Sequence, residues 1–287
     1  MIKTILVPAT GNTNDVPTFF AALQVARLFA AHLDVLHVRL DPIEIVVSMS
    51  ADGGGGALAP GLIEQLEQDV RMREAQAQRM FAEFCARENL NIAAAPPVGA
   101  IKPSAQWHVE TGQEPLWMTS YGITADLIVA ARGGSDDAAA RSMLEAALLH
   151  TGRPLLIPGG AAPSTALAER IAIAWKPTPQ AARAVASALP FLARAKEIVI
   201  ITVEEEESRR DADRLVRSLA WHGFAATVER LTPGPHGAAE TLLAAASTKA
   251  SLLVMGGYGH SRLREWVFSG FTERALAAAP LPVLIAH

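Results

Sequence analysis

The sequence predicts an α/β fold: two tandem, open, parallel five-stranded sheets of order 3-2-1-4-5, each with helices on both faces. Three observations carry that prediction. Short runs of Val, Ile and Leu alternate with longer alanine-rich stretches, the pattern of strands buried on both faces between crossover helices. The alternation occurs twice, with matching elements in the same order. A stretch of turn residues, Pro158 to Ser164, stands between the copies and places the domains at 1–160 and 168–287.

Ile2 to Pro8 matches Arg170 to Ala174 as the first strand of each copy, and alanine-rich helices follow at Thr18 to Ala31 and Gln180 to Ala195. Second strands read at Asp34 to Val38 and Glu197 to Val203. Between Asp41 and Pro60 the run Gly53 to Gly56 holds regular structure at high entropic cost, so that segment is expected to be a mobile surface loop. Cys85 is expected on the Met80, Phe81, Phe84 face of a helix. The acids Glu204 to Glu207 read as the solvated start of a helix through Leu215 and Leu219. Ala125 to Ala130 matches Ala250 to Met255 as fourth strands, and Arg153 to Ile157 matches Leu281 to Ile285 as the endings.

Composition narrows the function. A chain of 287 residues with 50% apolar content can bury a full core, and its net charge of -4 disfavours a nucleic-acid binder, which needs clustered Lys and Arg against phosphates. One cysteine makes no internal disulfide and fits a reducing compartment. Met1 to Lys3 passes directly into strand-like residues, and no apolar run reaches membrane-spanning length. The expectation is a cytoplasmic protein whose partners are small molecules or other proteins, with no nucleic acid and no membrane.

The passage from Leu252 to Thr272 holds the most chemistry. A strand empties into Gly256, Gly257 and Gly259, then His260 and a loop, then a helix that opens with small residues. Glycines let the main chain approach an anion, and the first amides of a helix point unpaired donors at it. Taken alone, Gly256 and Gly257 could equally make a tight strand-to-helix turn. In open parallel sheets a ligand sits beyond the carboxyl ends of the strands, where strand order reverses. That order puts Ala174, Trp175 and Lys176 of the first strand and Val203 of the second beside Met255 of the fourth. Val203 and Met255 then sandwich a flat base, while Gly256, Gly259 and the helix start near Gly270 offer amides to phosphate.

These residues resemble the universal stress protein family: the strand, Gly256 and Gly259 two residues apart, nine residues, a small-residue helix start, and Pro282-Val283-Leu284-Ile285 at the end. With Ile5-Leu6-Val7-Pro8 and the duplicated layout, the likeness covers nearly the whole chain as a tandem member. It implies an adenine nucleotide alpha hydrolase-like fold and ATP, with or without Mg, held through Gly, two residues, Gly, nine residues, Gly, then Ser or Thr. Here Ser269 stands where the family has that last Gly, Gly270 follows, and Phe271 replaces a smaller apolar residue. Lys176 takes the place of a frequent Asp and could meet a phosphate as a point charge. The first copy departs further: Ala131 to Asp137 lacks the spaced glycines and carries two adjacent acids, so its pocket reads as degenerate. Arg132 is expected in a surface salt bridge.

No serine elbow, Gly-Lys-Ser/Thr loop or committed base appears, so no catalytic residue is assigned and slow ATP hydrolysis is the most an enzyme reading allows. No metal ligands are assigned either. The leading reading is a stress-response sensor or regulator that shows a protein partner a different surface when nucleotide is bound. The alternative is a ligand-independent scaffold with vestigial pockets. The resemblance also implies an intrachain pseudo-dimer, Leu155 to Ile157 pairing with Val283 to Ile285, and leaves a homodimer open.

Overall fold

The computed structural model describes residues 1–51, 61–96, 102–132, 138–160, 167–203, 209–257 and 279–287. In the first half, β1 (Thr4–Pro8), α1 (Asp15–Phe29), β2 (His32–Arg39), α2 (Pro42–Ala51) and α3 (Leu62–Glu88) lead to β3 (Asn91–Ile92) and β4 (Ser104–Thr111). Then come α4 (Glu114–Gly122), β5 (Leu127–Val129), α5 (Ala138–His150) and β6 (Leu155–Ile157). The second half runs β7 (Arg170–Ala174), α6 (Pro179–Leu192), β8 (Glu197–Val203), α7 (Arg209–Trp221), β9 (Thr227–Leu231), α8 (Ala238–Lys249), β10 (Leu252–Gly256) and β11 (Val283–Ala286).

The strands form one sheet, in the order β3-β4-β2-β1-β5-β6-β11-β10-β7-β8-β9. Every pairing is parallel except one: β11 meets β6 antiparallel, with Val283 opposite Ile157, Leu284 opposite Leu156 and Ile285 opposite Leu155. Two sheets of order 3-2-1-4-5 are thus fused through their last strands. The two-residue β3 adds an eleventh strand at one edge. The two expected five-stranded sheets join as the intrachain pseudo-dimer placed them, Leu155 to Ile157 against Val283 to Ile285, because strands that would each be an exposed edge close on one another; the strand count alone differs, by β3.

Alternation along the strands feeds two cores. On one face Ile5, Val7, Ile171 and Ile173 pack under α1, α3, α6 and α7; on the other, Leu6, Ile128, Leu253 and Met255 pack under α4, α5 and α8. Both cores cross the seam. Leu156 and Leu284 lie in the first and Leu155, Val283 and Ile285 in the second, while Phe29 of α1 meets Phe191 of α6 edge to face at 5.2 Å. Cys85 is buried on α3 with Phe81 and Phe84.

Two local expectations change. Pro42–Ala51 is a helix, not loop: the Asp41 carboxylate accepts from the Ile43 amide at 2.8 Å, Pro42 opens the first turn, and buried Val46 anchors it. The glycine run that prompted the loop assignment lies outside the described residues. Gly159, in the described start of the interdomain stretch, also packs closely. A Cβ on Gly159 would stand 2.5 Å from the Pro280 carbonyl oxygen, so that glycine lets the two halves touch through their backbones.

Candidate functional site

The order of β8, β7 and β10 places the carboxyl ends of the second half's first, second and fourth strands side by side. Ala174 lies opposite Met255 on one flank and Ile201 on the other, and the Trp175 amide extends the ladder to the Ile201 carbonyl at 2.9 Å. This is where strand order reverses: α6 follows β7 on one face, and α8 precedes β10 on the other.

Side-chain direction then sorts the predicted residues. Ala174, Val203 and Met255 share the face packed under α8, with Met255 buried and the other two half-buried. Trp175 points to the opposite face and packs against that core, its Nε1 buried with no hydrogen-bond partner among the described residues. Trp175 is a packing residue and no wall of the same pocket. Lys176 is exposed beyond β7, its carbonyl accepting from the Thr178 amide at 2.7 Å, and the Thr178 hydroxyl caps α6 by accepting from the Ala181 amide at 3.2 Å.

The glycines are more committed than the sequence indicated. A Cβ on Gly256 would come 2.5 Å from the Ala181 nitrogen and 2.7 Å from the Gln180 carbonyl carbon, so this glycine seats the first turn of α6 on β10. The Gly257 amide donates to the Ala286 carbonyl at 2.8 Å, which ties it to β11 and takes it away from any phosphate. His287 Nδ1 approaches the Gly257 carbonyl at 3.2 Å. Gly259, His260, Ser269, Gly270 and Phe271 lie outside the described residues.

In the first half the described residues leave a cavity of about 10 Å³ between the end of β1 and Met118 and Met143, and a larger one of about 160 Å³ between Asn14 and Thr18 at the start of α1 and Ala131 and Arg132 after β5. Asp15, 2% exposed, turns its carboxylate back to accept from the Thr10 amide at 3.1 Å, the Thr10 hydroxyl at 2.9 Å and the Gly11 amide at 2.7 Å. The Thr10 and Gly11 amides are thus held by a carboxylate of the chain itself. Burial pushes the Asp15 pKa above its ordinary value, the bonds from Thr10 and Gly11 working against it. From α3, Arg73 donates to the Thr10 carbonyl at 2.7 Å and to Glu114 at 2.9 Å. A Cβ on Gly11 would stand 2.9 Å from the Arg73 carbonyl, so α3 rests directly on the turn after β1.

Asp15, Arg73 and Glu114 were not singled out from sequence. Arg73 and Glu114 lie 41 residues apart and meet only through the fold. Asp15, directly after a polar Thr-Gly-Asn-Thr-Asn turn, was the readable one, as an acid at a helix start. Arg132 is half-buried, and its Nη2 donates across the seam to the Ala279 carbonyl at 3.1 Å.

Comparison with known proteins agrees with this geometry. Residues 201–287 match the model of the Universal stress protein family. A universal stress protein from Archaeoglobus fulgidus DSM 4304 superposes with a TM-score of 0.71 at 16% identity, over 99% of this chain and 97% of that one. A functionally unknown protein from Pseudomonas aeruginosa PAO1 gives 0.55 at 13% identity, over 99% and 92%. A putative universal stress protein from Pseudomonas aeruginosa UCBPP-PA14 gives 0.53 at 14%, over 99% and 93%. No curated protein sequence matches the chain. The molecule is therefore a tandem α/β protein of universal stress protein fold, and its C-terminal part carries the family's sequence pattern. Among the described residues no helix is long and apolar enough to cross a membrane.

Proposed function

We propose that the C-terminal half binds an adenine nucleotide, ATP with Mg as its counter-ion, and that the chain is a cytoplasmic stress-response sensor or regulator. Residues 1–160 and 168–287 act as its two units, and occupancy of the second alters the surface offered to a regulatory protein partner. One observation carries the reading. Ala174, Val203 and Met255 converge on one face at the carboxyl ends of three adjacent strands, where strand order reverses.

The residues fit the base better than the phosphates. Half-buried Ala174 and Val203 beside the Met255 thioether are apolar and polarisable, which suits a flat aromatic ring. The Gly257 amide is spent on β11, so the reading assigns the phosphates to Gly259, His260, Ser269, Gly270 and Phe271, which lie outside the described residues. The family match to residues 201–287 spans those positions and supports the assignment. Isothermal titration of the full chain with ATP, repeated on Gly259→Leu, tests it. Saturable binding that the substitution removes is expected. Absence of binding to the unsubstituted chain sinks the reading. The alternative is then a ligand-independent scaffold, favoured by the Asp15 carboxylate that holds the Thr10–Gly11 turn of the first half.

A further inference from the structure

His37, on β2, is 1% exposed beneath α3. Its Nδ1 lies 2.8 Å from the Ala9 carbonyl, which only accepts, so Nδ1 carries the hydrogen and Nε2 is a bare lone pair. That Nε2 is buried and meets no hydrogen-bond donor among the described residues. The ring stacks on Trp107 at 5.9 Å and 13°, and Trp107, whose own Nε1 is buried without a partner among the described residues, lies 5.4 Å from Phe81 of α3. A basic nitrogen is thus stored in a buried aromatic layer beneath α3.

The charges around it are already committed. From α3, Arg73 and Glu74 face His37, from α4 Glu114, and from the start of α1 Asp15. Arg39, further along β2, holds Glu74 through two bonds of 2.6 and 2.8 Å, and Arg73 holds Glu114 at 2.9 Å. Among the described residues none of these carboxylates bonds Nε2. Burial keeps the His37 pKa below its ordinary 6.5; the Ala9 bond opposes this, Arg73 adds to it, and Glu74 and Glu114 oppose it.

We propose that α3 is an acid-released cover of the first half: a proton arriving at His37 Nε2 lifts α3 from β2 and uncovers the Thr10–Gly11 turn. The closed state favours neutral His37, and the open state lets water solvate the imidazolium. A His whose pKa is lowered in the closed state binds its extra proton on opening. Opening is therefore promoted as pH falls below 6.5, towards the closed-state value. Lifting α3 also breaks the Arg73 bond to Thr10 and its contact with Gly11, so the cover and the turn move together. The device needs no nucleotide and stands apart from the reading of the second half.

Hydrogen exchange of the full chain, from about pH 7.5 to about pH 5 and corrected for intrinsic rates, reads the opening of α3 directly. The protection of α3 should fall by up to about tenfold per pH unit below 6.5, the slope of a one-proton linkage, while α7 in the second half keeps its protection. His37→Asn places an amide where Nδ1 donates and cannot take up a proton, so its α3 profile should be flat. Nitrogen NMR of His37 in the unsubstituted chain is the second readout, independent of how the variant folds. Its protonation should track the loss of α3 protection. A flat α3 profile in the unsubstituted chain, an unchanged acid response in His37→Asn, or His37 protonating while α3 stays protected would each overturn the proposal.

Discussion

Gly256→Ala tests whether this glycine serves packing. The added Cβ would stand 2.5 Å from the Ala181 nitrogen, 2.7 Å from the Gln180 carbonyl carbon and 2.9 Å from the Ala181 Cα. Unstrained contacts of this kind need about 3.5 Å, so α6 must withdraw by roughly 1 Å or β10 must bend. All three neighbours are main chain and none can rotate away. The shift loosens buried Ala184, Ala188 and Phe191 of α6 against the sheet, with a cost of about 3 kcal/mol, the upper part of the overpacking range. At roughly 2–4 °C per kcal/mol for a chain of this size, the nucleotide-free protein should melt roughly 6–12 °C lower. Gly257→Ala is the comparator. Its new methyl meets only the Ile285 Cδ1 at 3.0 Å, the Ile285 Cγ1 at 3.1 Å and the Leu148 Cδ2 at 3.3 Å, ends of side chains that can yield, so it should cost under about 1 kcal/mol. Urea midpoints of the two variants give the comparison. Equal costs, or a Gly256→Ala cost below about 1 kcal/mol, would refute the backbone-contact argument and return this glycine to an anion-binding role.

Two further outcomes are expected. Leu284, fully buried in β11 opposite Leu156, contributes to the core that crosses the seam, so Leu284→Ala should cost about 3 kcal/mol and lower the urea midpoint of both halves together; loss confined to the second half would show the halves to be independent. Burial pushes the Cys85 thiol up to about 11 from 9.0, so the folded chain keeps that proton after the unfolded chain has lost it. Stability should fall as pH rises across that window, and a thiol reagent at about pH 8 should modify Cys85 only after urea is added; rapid modification of the folded chain would contradict its place in the core.

The legible part of the fold was the part made of apolar runs. Strands such as Ile171 to Ala174 and Leu252 to Met255 are buried on both faces and read as continuous hydrophobic segments, and the repeat fixed their order. The third strands escaped notice because β9 is an edge and β4 near one: Thr227–Leu231 and Ser104–Thr111 are rich in polar residues, Arg230 and Glu229 spend their side chains on ion pairs, and His108 meets the Asp34 carboxylate at 2.9 Å. Helix α2 was hidden by the glycines that follow it. At the candidate site, strand order correctly joined Ala174, Val203 and Met255, because topology alone decides which ends are neighbours. Trp175 was misdirected since successive residues at a strand end face opposite sides of the sheet. The commitment of Gly257 to Ala286 depends on where β11 returns, and nothing local to the glycines encodes that.

On the proposed reading the crevice of the second half takes an adenine nucleotide, while in the first half Asp15 and Arg73 hold the Thr10–Gly11 turn beneath α3. Native mass spectrometry of the full chain with excess ATP and Mg at neutral pH counts the occupied sites directly. The account predicts a mass increase of a single nucleotide per chain, carried by the second half and absent in Gly259→Leu. Two nucleotides per chain, or one that survives Gly259→Leu, would contradict it.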